Sequence, residues 1–110
     1  MGASVVTYRP GIAAGAFVEG KYAVHATPAA TYIYCGFVPS RIEVQNATDE
    51  DAGGYWTADM AAGTGMDEDG TAIASNGFTT VEDSTGQGFI VGTDTNLLEA
   101  SKTYTFRAYR

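Results

Sequence analysis

Apolar and polar residues alternate along most of this 110-residue chain, and long amphipathic helical windows do not occur. Arg41-Ile42-Glu43-Val44-Gln45 alternates strictly, which predicts a strand with Ile42 and Val44 on its core face. Tyr55–Met60 does the same and puts Trp56, Ala58 and Met60 together. Thr31–Val38 is rich in strand formers and is closed by Pro39. Thr103–Tyr109 reads as a long strand with Tyr104, Phe106 and Ala108 inward, and Gly88–Val91 as a short buried one carrying Phe89. Thr71–Ser75 and Phe78–Glu82 flank Asn76-Gly77, a pair that tolerates the positive φ angles of a type I′ turn. They predict a two-residue hairpin, with Ile73 in the core. Ser4–Tyr8 and Lys21–His25 are weaker strands, and Thr95–Ser101 predicts one helical turn through Leu97 and Leu98.

Short strands at intervals of about 8–12 residues predict a single-domain, all-β fold, a β-sandwich or jelly roll rather than a barrel. The length suits one domain. Residues 31–110 form the sandwich in this reading. Residues 1–30 are rich in small side chains and are either an extended arm or a first hairpin.

Charge narrows the partners. Thirteen acids against six bases give a net charge of -7, which repels phosphate backbones and anionic lipid, so neither nucleic acid nor membrane is an expected partner. From Ile42 to Ser101 there are twelve acids and no Lys or Arg. Such a block ordinarily solvates a face; the alternative is that the acids face solvent while the bases outside it face a partner. No run reaches membrane-spanning length and no basic leader opens the chain, so a soluble, cytosol-made protein is expected.

The search for chemistry assigns no catalytic residue, metal or cofactor. Cys35 is the single cysteine, which excludes an internal disulfide and a cysteine zinc cluster, and it reads as a small core residue. His25 is the single histidine, and no serine stands in a Gly-x-Ser-x-Gly elbow. Two acidic clusters, Asp49-Glu50-Asp51 and Asp67-Glu68-Asp69-Gly70, fail the calcium-loop spacing. Met60 stands where the first needs its bidentate Glu, and Gly65 and Asn76 stand at the first and twelfth positions of the second. Seven tyrosines and Trp56 either stack on sugars, fill interface pockets or pack cross-strand; Tyr32 and Tyr34 share one face.

Two stretches carry a resemblance. Cys35-Gly36-Phe37-Val38-Pro39-Ser40-Arg41-Ile42-Glu43-Val44-Gln45-Asn46 is similar to the G-F-x-P-x-x-V-x-V-x-N opening of small structural proteins of tailed bacteriophages. Gly88-Phe89-Ile90-Val91-Gly92-Thr93-Asp94, with Asn96 and then Lys102–Arg110, resembles their G-F-x-x-G-x-D…N…G-x-T-Y close, with Ser101-Lys102 where the relatives place Gly before the last strand. The match covers roughly residues 35–110. It implies a capsid decoration (cement) protein with a jelly-roll-like β-sandwich, usually a trimer on the capsid lattice, with no catalytic residues. On that expectation the chain is a virion component that binds the major capsid protein and itself. Arg9, Lys21 and Arg41 are the capsid-facing candidates, and Tyr32, Tyr34 and Tyr109 the subunit-interface candidates. The alternatives are a tail- or fibre-associated structural protein, a carbohydrate-binding module using exposed Tyr and Trp, and, third, a small hydrolase.

Overall fold

A computed structural model describes residues 4–7 and 17–110. Its strands are β1 (Ser4–Thr7), β2 (Phe17–Ala23), β3 (Thr31–Tyr34), β4 (Arg41–Asn46), β5 (Gly53–Thr57), β6 (Thr64–Asp67), β7 (Ala72–Glu82), β8 (Gln87–Val91) and β9 (Thr103–Tyr109). The fold is all-β, with no helix among the described residues. One hydrogen-bonded sheet runs in the order β1-β3-β8-β7-β6-β5-β4-β9-β2, antiparallel except for β1 beside β3. The layering expected of a sandwich arises because this sheet curls over on itself. Phe89 of β8 meets Phe106 of β9 edge-on at 5.6 Å, although the two strands stand five places apart in the order. From β4 to β8 the wiring is a plain meander, where a jelly roll would interleave strands between two sheets. Short turns at each step let sequential strands pair directly. β1 and β2 lie at opposite ends of the order, so they do not form a hairpin with each other.

The core is the alternation made solid. Ile42, Val44, Trp56, Ile73, Phe89, Tyr104 and Phe106 are all buried, as their spacing predicts. β9 is an inner strand, paired to β2 on one side and β4 on the other. Tyr22 and Tyr104 stack at 5.3 Å inside the core, and their hydroxyls reach one segment: Tyr22 donates to Leu97 O (2.9 Å) and Tyr104 to Asn96 O (3.0 Å), while Glu99 N–H donates to the Tyr104 hydroxyl. That clasp seats buried Leu97 and Leu98, which stand on the predicted helical turn, here a single turn begun by Leu98 N–H donating to Asp94 O.

Three local expectations are corrected. Asn76-Gly77 is not a hairpin turn. β7 runs through it, and the register against β6 jumps from Ile73↔Gly65 to Phe78↔Thr64, so the intervening residues bulge. Asn76 takes the positive φ, 60°, that suggested a turn, but Gly77 is wedged against β6, where a Cβ would lie 2.3 Å from Thr64 O. The hairpin turns fall instead at Glu68–Thr71 and Asp83–Gly86, where Asp67 and Asp83 carboxylates accept the turn N–H groups. β5 stops at Thr57, so Ala58 is exposed rather than aligned with Trp56. β3 stops at Tyr34, before Gly36 bends the chain with φ 96°.

Candidate functional site

Alternation that buries Tyr22, Tyr104, Phe106, Ile42 and Val44 necessarily turns their neighbours outward. Register then sorts those neighbours into rows across β2, β9, β4 and β5. The first row is Phe17–Tyr109–Arg41–Thr57, the second Glu19–Arg107–Glu43–Tyr55 and the third Lys21–Thr105–Gln45–Gly53. Lys21 and Arg41, far apart in sequence, therefore share one outer face with Tyr109; Arg9 lies outside the described residues. Arg107, another of the bases outside the acidic block, lies between them.

The face is internally wired. Arg41 Nε donates to Glu43 Oε2 at 2.8 Å and its guanidinium lies 5.1 Å from the Tyr55 ring centre. Tyr109 donates to Glu43 Oε1 at 3.3 Å and packs on Phe17 at 5.1 Å. Arg107 pairs with Glu19 at 2.9 Å, which raises the Arg107 pKa through hydrogen bonding and charge. Phe17, 42 % exposed, and Val38, 40 % exposed, are the large apolar side chains left open among the described residues.

A depression of about 230 Å³ opens in this face. Gly53 and Gly54 floor it because β5 runs too close to its neighbours for side chains: a Cβ would lie 2.3 Å from Val44 O at Gly53 and 2.6 Å from Met66 O at Gly54. Arg41, Glu43 and Gln45 form one wall, Asp67 and Glu68 the other, and Tyr55 completes it.

The remaining candidates lie elsewhere. Tyr32 and Tyr34 do share a face, with rings 6.3 Å apart, but Tyr34 is only 6 % exposed. Its hydroxyl donates to Asp83 Oδ2 at 3.0 Å. Burial opposes the ionisation of Asp83, but the Thr85 N–H, that hydroxyl and the Gly86 N–H together hold its carboxyl below the usual range. Trp56 is buried with Nε1 donating to Ala61 O at 3.1 Å, which removes it as a sugar-stacking platform. Cys35 is buried, its thiol is pushed up by burial, and it meets the Phe37 carbonyl; His25 is exposed, and no hydrogen bond joins the two. This is not the environment of an activated thiolate.

Acidic turns gather at one end of the sheet. Asp49, Asp51 and Glu99 bring carboxylate oxygens within 4.8 Å of one another, and Lys102 Nζ answers them from 3.2 Å of Asp49 Oδ2. Asp67 accepts the N–H groups of Asp69 and Thr71, so that cluster is built as a turn. Comparison with known protein families, curated proteins and solved structures finds no match to this chain.

Proposed function

We propose that this protein is a structural component of a phage virion, a decoration protein that binds the outside of the capsid and bridges its subunits. The observation that carries the reading is the gathering of three bases, distant in sequence, on one outer face. Lys21, Arg41 and Arg107 share the outer face of β2, β9 and β4 with aromatic Tyr109 and Phe17 and with Glu19 and Glu43, the partners of Arg107 and Arg41, while Asp49–Asp51 sit on the turn between β4 and β5. On this reading a chain of net charge -7 offers a partner the face where three bases meet two acids, and keeps its acidic turns in solvent, where salt screens them over about 8–10 Å. Bases at the rim of such a contact set register and association rate.

Two further details support the resemblance. The glycines of its closing pattern are required by packing: a Cβ would lie 1.9 Å from Ile33 O at Gly88 and 2.3 Å from Asn76 O at Gly92. Ser101, which stands where relatives carry Gly, has φ 64°, the left-handed conformation that favours Gly.

Binding only the assembled lattice would stabilise it by mass action, and threefold repetition would multiply a modest contact through effective concentration. The test is co-sedimentation with particles assembled from the major capsid protein encoded in the same genome. Wild type is expected to sediment with particles and raise their melting temperature. Lys21→Glu/Arg107→Glu is expected to weaken binding and flatten its salt dependence, and Glu50→Lys/Asp69→Lys to do neither. Absence of wild-type binding, or equal effects from both pairs, overturns the reading.

A further inference from the structure

The depression between β4, β5 and β6 belongs to the part of the face farthest from β2, and its lining is chemically mixed. Three carboxylates, Glu43, Asp67 and Glu68, disfavour an anion there. The Arg41 guanidinium, held by Glu43 and lying over Tyr55, disfavours a cation. An apolar ligand would strip water from these groups without replacing their hydrogen bonds. A neutral polyhydroxyl ligand meets every demand. Its hydroxyls donate to the carboxylates and to the Gln45 carbonyl and accept from Arg41 and the Gln45 amide, with Tyr55 holding the Arg41 guanidinium in place beside them.

We propose that this depression is a binding site for a single sugar ring. The size agrees, since about 230 Å³ is below the usual range for drug-sized ligands and leaves no room for a chain of rings within it. The floor is preformed: Glu68 N–H donates to Gly53 O at 3.1 Å, and Asp67 is locked by the turn it caps, so two of the lining residues are positioned before any ligand arrives. Open on one side, such a site binds at about millimolar Kd and gains strength only through repetition of copies. Sequence reading looked to exposed Tyr and Trp for sugar binding; the fold keeps Tyr55 and withdraws Trp56.

The inference does not depend on the capsid reading, and its test uses the isolated chain. Methyl glycosides of glucose, galactose, mannose, N-acetylglucosamine and rhamnose are titrated against the ¹⁵N-labelled protein. Sodium phosphate and guanidinium chloride serve as the charged probes. At least one glycoside is expected to shift the backbone signals of Gln45, Tyr55 and Glu68. Tyr55→Ala and Gln45→Ala, each with unchanged melting temperature, are expected to weaken that binding about tenfold or more. Silence from all five sugars overturns the proposal. So does a response at these residues to phosphate or guanidinium alone, or sugar binding that both variants leave intact.

Discussion

The two faces of the β2–β9–β4 ladder are made from the same strands and differ in almost everything else. On the inner face, Tyr22, Tyr104, Phe106, Ile42 and Val44 are sealed from water, and the two tyrosine hydroxyls hold the segment from Asn96 to Glu99. On the outer face, the residues one position along make an open network of Arg41, Glu43, Arg107, Glu19 and Tyr109. Burial makes the inner contacts worth kilocalories each, whereas solvent around the outer ion pairs leaves them little net effect on stability. One face therefore holds the molecule together, and the other contributes little to its stability.

That contrast is broken most directly from the inside. Phe106→Ala removes the ring that meets Phe89 and is expected to cost about 3–5 kcal/mol, measured by denaturant unfolding. Removing residues 103–110, a strand paired on both sides, is expected to abolish soluble expression, and a well-folded truncated protein would contradict the assignment of β9. Tyr104→Phe keeps the ring but leaves Asn96 O and Glu99 N without their partner, at an expected cost of about 1–3 kcal/mol.

The same pair predicts an alkaline limit. Burial raises the hydroxyl pKa values of Tyr22 and Tyr104 above the ordinary 10.0, and the neighbouring Tyr104 raises Tyr22 further. The folded state thus favours the protonated forms. Their contribution is complete below about pH 10 and is lost as pH rises through the raised folded values. Denaturant midpoints should fall as pH rises beyond that point, with a shallower fall in Tyr104→Phe; midpoints that do not fall there would refute the coupling. The smallest effect is expected outside: Arg107→Ala, which removes the exposed pair with Glu19, should leave the melting temperature within error. A clear drop would mean the outer face is structural after all.

Much of this was legible beforehand, and the failures are instructive. Strict alternation in β4 and β9 announced both strands and their buried sides. Asn76-Gly77 misled because its backbone preference is real while its use is not local: β6 on one side and Gly92 on the other hold the pair in a bulge. β6 itself, Thr64-Gly65-Met66-Asp67, has too little strand character to be seen alone. It pairs because β5 and β7 stand on either side of it.

Side-chain period is a local property, so the chain by itself determined an all-β fold and its core residues. Which outward residues become neighbours is set by register between strands distant in sequence. The meeting of Lys21, Arg107 and Arg41 on one face, and of Tyr55, Gln45 and Glu68 around a glycine floor, was decided only when β2, β9, β4, β5 and β6 paired. A shift of one residue in any of those ladders would have turned the same side chains into the core.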